Sequence, residues 1–242
     1  MKITFLGTRG YIDARSKIHY RHTSTLISYK GKRILIDCGL DWLGKIEQIK
    51  PDAIFLTHAH PDHSWGLEHG APCPVYATQE SWDVKELKTF AITEKNVIHD
   101  RQKIHLWGIT IEVFSVVHSI RCPAVGYRIT AGRVTIFCAH DLISIHERAA
   151  ALRSVSLYIG DGATIMRPML RRRGTQLFGH TTIKTQLGWC KKEKISRAIF
   201  THCGTQIVAG NAKIVERKIR ELGLEMGVIT WVAHDGMSIV IR

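Results

Sequence analysis

Four short apolar runs in this chain end on histidine or aspartate: AIFLTHAHPDH at 53–63, IEVFSVVH at 111–118, VTIFCAHD at 134–141 and RAIFTH at 197–202. A short continuous apolar run reads as a buried strand, and function in layered α/β folds gathers where strand ends open into loops. Whatever the fold, it must bring these four strand ends together. The first is the densest, with His58, His60, Asp62 and His63 inside six positions.

Imidazole and carboxylate are good ligands for zinc, iron and manganese. Alternation lets His58 and His60 point one way, Pro61 restricts the backbone, and Asp62 and His63 then sit on the following turn. Two groups of ligands result, suited to two neighbouring cations. One loop cannot complete a metal pair, so His118, Asp141 and His202 are expected to supply the remainder.

Further apolar runs suit strands at 2–6, 25–28, 33–36, 110–116, 124–129, 157–159, 227–232 and 238–241, and AGR at 131–133 reads as a hairpin turn. Helical patterns cover 42–49, 80–88, 181–194 and 207–222; in the last, Ile207, Val208, Ile214, Val215, Ile219 and Leu222 can share a face. The expected fold is α/β, with two sheets sandwiched between helices. No repeat, low-complexity segment or linker divides the chain, so residues 1–242 are read as a single domain.

Lys and Arg number 34 against 21 Asp and Glu, and the resulting charge of +13 favours polyanions such as nucleic acids or phosphorylated metabolites. Six cysteines form no CxxC pair and read as reduced thiols. No apolar run is long enough to span a bilayer, and the opening MKITFLGTRG lacks the features of a signal peptide. A cytoplasmic location without membrane association is expected.

Taken together, IDCG at 36–39, HAHPDH at 58–63, His118, Asp141 and His202, in that order, resemble the metallo-β-lactamase superfamily. The resemblance runs from FLGTRG to AHDGMSIVI, almost the whole chain, and implies a four-layer αββα sandwich with a two-metal site at one edge. Carried over residue by residue, His58, His60 and His118 would hold one metal, Asp62, His63 and His202 the other, and Asp141 would bridge them. Asp37 would support the ligands from behind. Zinc is the expected metal, with manganese and iron also suited to these ligand types.

FGHTT at 178–182 resembles the His-Ser-Thr motif of tRNase Z-like phosphodiesterases, and FLGTRG, RHTS at 21–24 and AHDGM at 233–237 resemble other parts of that branch. The resemblance makes His180 the residue that contacts the scissile phosphate and assists the leaving group. The segment YIGDGAT at 158–164 stands where that branch has a glutamate orienting this histidine, and Asp161 is the nearest substitute. His140 precedes Asp141 where glycine is usual, and is expected to contact substrate or to pack. No long glycine-rich arm lies between His118 and Asp141, so the chain resembles tRNase Z-like and cyclic phosphodiesterase-like enzymes without the tRNA-gripping arm. Arg167, Arg171, Arg172 and Arg173, in RPMLRRRG just before His180, form a loop suited to phosphate oxygens.

The expected activity is metal-dependent hydrolysis of a phosphodiester in RNA, DNA or a small cyclic compound, by a hydroxide activated between two cations. Asp62 would receive the nucleophile's proton, and His180, oriented by Asp161, would protonate the departing oxygen. Two alternatives stand beside it: a lactone or thioester hydrolase, for which His180 and the arginines should matter little, and a metal-containing nucleic-acid-binding protein with little turnover. Homodimers are common among such relatives, so a homodimer is expected.

Overall fold

The computed structural model describes residues 1–242. One sheet runs, in spatial order, Ser238–Val240, Lys2–Gly7, Ser24–Tyr29, Lys32–Ile36, Ala53–Phe55, Val75–Thr78 and Lys95–Ile98. The second runs Ser144–Ile145, Ile109–Val117, Ala124–Ala131, Val134–Cys138, Leu157–Asp161, Arg197–Thr201 and Ile229–Val232, with Lys103–Leu106 also paired to Ile109–Val117.

Alternation along each strand builds the layers. Ile34, Ile36 and Phe55 meet Ile111, Val113, Tyr127 and Ile136 in a core between the sheets. Their neighbours Leu35, Ile54 and Leu56 face outward and are covered by Trp42, Ile46, Trp82 and Leu87. On the other side, Phe137, Tyr158 and Phe200 pack under Ile183, Leu187, Ile219 and Leu222. The result is helices, sheet, sheet, helices: the αββα sandwich. Burial on both faces is why runs such as AIFL lack polar alternation.

The strands Lys32–Ile36, Ala53–Phe55 and Val75–Thr78 are parallel, as are Val134–Cys138, Leu157–Asp161 and Arg197–Thr201. Ile109–Val117 runs in the same sense as Val134–Cys138, because each pairs antiparallel with Ala124–Ala131. Parallel strands place their C-terminal ends along one edge. Asp37, His58, His118, Asp141, Asp161 and His202 all lie at or just beyond such ends.

Several expected elements differ. The helix over 42–49 is a 3-10 turn, Leu40–Trp42, and one α-turn, Ile46–Ile49, separated by Gly44 at φ +70°. The helix over 80–88 is two short pieces, Gln79–Trp82 and Lys85–Thr89. The helix over 207–222 breaks into Thr205–Val208 and Ala212–Glu225, where Asn211 accepts a capping hydrogen bond from the Ile214 N–H. Within Ala212–Glu225, Ile214 stands exposed because it precedes buried Ile219 by five residues, about 140° around the helix, and so lies off the buried face. The arginine segment is not a loop but a hairpin, Met169–Arg173 paired with Gln176–His180, outside both sheets.

Candidate metal centre

The stretch after Ala53–Phe55 is held in place by the segment 36–39. The Cys38 N–H donates to the His63 carbonyl at 2.7 Å, and the Gly66 N–H to the Cys38 carbonyl at 2.9 Å. A Cβ on Gly39 would lie 2.1 Å from the Asp62 carbonyl oxygen, so only glycine allows this approach. Pro61 opens the one-turn helix Pro61–Ser64, as proline does at a first helical position. That turn moves Asp62 and His63 off the line of His58 and His60.

Two groups of ligand atoms follow. His58, His60, His118 and Asp141 offer atoms within 4.8 Å of one another, and so do Asp62, His63 and His202. His58 Nε2 is 2.8 Å from His60 Nδ1, which is 3.4 Å from His118 Nε2. Asp141 touches both groups: its oxygens are 3.2 Å from His118 Nε2, 3.3 Å from His63 Nε2 and 2.8 Å from His202 Nδ1. Asp62 Oδ2 lies 3.2 Å from His63 Nε2 and 3.0 Å from His202 Nε2.

His63 Nε2, Asp141 Oδ1 and His202 Nδ1 are buried and have no aligned hydrogen-bond partner. Buried polar atoms are normally satisfied, so atoms packed this closely without an aligned hydrogen bond mark a place where a further ligand would satisfy them. Converging imidazole nitrogens and carboxylates suit a divalent cation. The residues present therefore fit a divalent metal centre.

Burial lowers the basicity of His58, His60 and His118, the last to about 4, which keeps all three neutral and able to donate a lone pair. Burial would raise the Asp141 and Asp62 carboxyls, but surrounding histidines, His202 and His63 foremost, overcome it and hold both well below the usual range. For His63 and His202 the balance reverses: burial disfavours their charge, but Asp62, Asp141 and Asp37 raise the first and Asp141 raises the second.

Behind the ligands, Asp37 accepts hydrogen bonds from the Thr57 N–H at 2.7 Å, the Thr57 hydroxyl at 2.8 Å, His63 Nδ1 at 2.7 Å and His140 Nδ1 at 2.6 Å. This fixes the His63 tautomer and leaves its Nε2 for a metal. His140 is fully buried, with its other nitrogen 3.1 Å from the Thr25 hydroxyl. It cannot touch substrate, which corrects the contact expected from its sequence position. Asp37 and His202 both adopt left-handed backbone conformations, φ +63° and +52°, uncommon for residues with a Cβ and a form of strain found at functional sites.

His180 Nδ1 is 2.7 Å from Asp161 Oδ2. Asp161 also accepts from the Ala163 N–H at 2.7 Å, and Gln186 brackets its backbone, accepting from its N–H at 3.0 Å and donating to its carbonyl at 2.8 Å. Burial would lower His180, but Asp161 raises it. The His180 ring lies 5.0 Å from that of His118 and 5.5 Å from that of His202. Of the arginines, Arg171, Arg172 and Arg173 stand exposed on the hairpin. Arg167 lines a surface depression with Met166, Gln206 and Lys218. Thr57, Thr25 and Gln186 carry no sequence signal for their supporting roles, because each acts through a partner distant in the chain.

The family model described as a β-lactamase superfamily domain matches residues 32–203. The chain belongs to the metallo-β-lactamase superfamily. Within it, the chain is similar to the ribonuclease Z of Methanopyrus kandleri, which is 23% identical over 98% of this chain and 97% of that protein. Two solved structures share the fold. The metallo-β-lactamase fold protein YhfI from Bacillus subtilis is 17% identical with a TM-score of 0.75, covering 98% of both chains. A diphosphatase from the PhnP family is 23% identical with a TM-score of 0.74, covering 100% of this chain and 98% of that one.

Proposed function

We propose that residues 1–242 form one hydrolase domain, a metal-dependent phosphodiesterase whose substrate is RNA. The observation that carries this reading is the Asp161–His180 pair, set 2.7 Å apart beside a full group of metal-ligand residues. Placed there, His180 can protonate a ribose oxygen as it leaves phosphorus. The ribonuclease Z relatives and the charge of +13 support a nucleic-acid substrate.

Two divalent cations, zinc by preference, would be held by His58, His60 and His118 and by Asp62, His63 and His202, with Asp141 between them. Bound there, such cations supply Lewis acidity and lower the pKa of water toward about 7. Asp62, kept ionised by His63 and His202, is positioned to accept the attacking water's proton. His180 holds a proton more firmly than an ordinary histidine, and its Nε2 delivers that proton to the departing oxygen while Asp161 fixes the ring. Asp37, supported by His140, keeps His63 aimed. Six unpaired cysteines suit a reducing, cytoplasmic compartment, and no helix is long and apolar enough to cross a membrane. A homodimer belongs to the same reading and is testable by sedimentation.

The deciding experiment offers the metal-loaded protein bis-(p-nitrophenyl) phosphate, cyclic nucleotides, short RNA, single-stranded DNA and lactones. Cleavage of RNA above the rest is expected. Hydrolysis of lactones with no phosphodiester turned over would move the reading to carbonyl chemistry.

A further inference from the structure

The hairpin Met169–Arg173 with Gln176–His180 belongs to neither sheet, yet it is tied to the metal centre at its base. The Gly179 N–H donates to the His118 carbonyl at 2.8 Å, and the Gly179 carbonyl lies 3.1 Å from His118 Nδ1. Gly179 has φ +119°, and a Cβ there would sit 1.9 Å from the Met169 carbonyl oxygen. The connection to the metal ligand therefore requires glycine.

In the hairpin register Met169 lies opposite His180, Arg171 opposite Phe178 and Arg173 opposite Gln176. Opposed residues of an antiparallel pair share a face, and side chains alternate along each strand. One face thus carries His180, Phe178, Arg171 and Arg173, while Leu170, Arg172 and Leu177 occupy the other. At about 3.4 Å per residue, the Phe178–Arg171 pair stands about 7 Å from His180 and Arg173 about 14 Å. Phe178 is half-buried and the arginines are exposed. Arginine–carboxylate pairs in this molecule involve Arg9, Arg15, Arg101, Arg148, Arg217 and Arg220, so the hairpin arginines are free cations.

Resting on the phosphodiesterase reading, we propose that this face is a platform for single-stranded RNA leading away from the scissile phosphate. Phe178 stacks a base, and Arg171 and Arg173 hold neighbouring phosphates. An aromatic ring flanked by cations, continuous with the reacting centre, is how proteins hold single strands without reading sequence. A second copy of this chain is a poorer occupant, because a two-fold contact would set consecutive arginines against their own copies. Here the hairpin does the gripping, from a position between Asp141 and His202 in the chain.

The test measures binding of labelled single-stranded RNA by fluorescence anisotropy across a salt series, alongside cleavage of that RNA and of bis-(p-nitrophenyl) phosphate. Replacing Arg171 and Arg173 with Ala should flatten the salt dependence of log K by about 0.7 per arginine. Phe178→Ala should weaken binding on the order of tenfold, and Phe178→Trp should restore it. Arg172→Ala should cost less than Arg171→Ala, and losses on RNA should exceed those on the small ester. Equal losses from Arg172 and Arg171 would overturn the proposal in favour of diffuse charge. So would variants that alter sedimentation but not RNA binding, or a wild-type protein that neither binds nor cleaves RNA. Wild-type protein that binds RNA through this face but cleaves no phosphodiester would instead sink the phosphodiesterase reading alone.

Discussion

His180 and His140 are separated by what they can reach. His180 keeps part of its ring exposed and adjoins two ligand histidines, whereas His140 is sealed behind Asp37. His180→Ala should lower turnover about 10²–10⁴-fold, the usual worth of a general acid, with metal content unchanged. The loss should be greater for a ribose leaving group than for p-nitrophenolate, which departs without protonation. Equal rates for wild type and variant on RNA would remove His180 from the chemistry. His140→Ala should instead weaken metal binding at the His63 side about 10–100-fold, as losses of outer hydrogen bonds do, while the His58, His60 and His118 side changes less. Calorimetric titration of apo-protein with zinc would reveal one weakened and one retained site. Asp141→Ala should weaken both.

At the scale of elements, the 3-10 turn Leu40–Trp42 anchors the loop that follows the first strand. Its Asp41 accepts from buried Arg9 at 2.7 Å, from the His22 backbone N–H at 2.9 Å and lies 2.8 Å from His22 Nδ1. The anchoring matters to the site because a Cβ on Gly10, one residue beyond Arg9, would meet the His202 ring at 2.9 Å. Burial would raise the Asp41 carboxyl, but His22 and Arg9 hold it well below the usual range. A depressed carboxyl stabilises the fold above its unfolded value of about 3.9 and loses that contribution as pH falls through the folded value. Asp41→Asn should therefore cost about 3–5 kcal/mol near neutrality, since it leaves a buried guanidinium uncompensated, and should flatten the loss of stability below about pH 4. Denaturant melts at several pH values check both; an unchanged acid limb would show that Asp41 does not drive it.

Across the whole molecule, the metal centre joins the two sheets: His58, His60, Asp62 and His63 follow a strand of the first, and His118, Asp141 and His202 follow strands of the second. Metal removal should then loosen the sandwich as well as stop activity. At a free metal concentration 1,000 times Kd, one site stabilises by about 4.1 kcal/mol. For a chain of this size each kcal/mol moves Tm by about 2–4 °C, so chelation should lower Tm by roughly 8–16 °C. A melting curve indifferent to chelator would argue that the ligands hold no ion in solution.

Local pattern was enough for the central strands other than Val75–Thr78, because burial on both faces leaves runs such as AIFL and VTIF no polar alternation to confuse. It also pointed to the histidines and aspartates that the fold brings together, since ligand chemistry is carried by residue type and each follows such a run. Short edge strands escaped: Lys95–Ile98 and Lys103–Leu106 are half solvated and held by pairing. The break at Gly210–Asn211 escaped too, because apolar spacing continues across it while the Asn211 cap restarts the helix. Only tertiary structure decided that His140 faces Asp37, that Gln186 brackets Asp161, and that Arg171 and Arg173 share a face with His180 while Arg172 does not. Those outcomes depend on strand register and on which groups meet across more than a hundred residues in the case of His140, and hydrogen-bond partners so far apart leave no local periodicity to read.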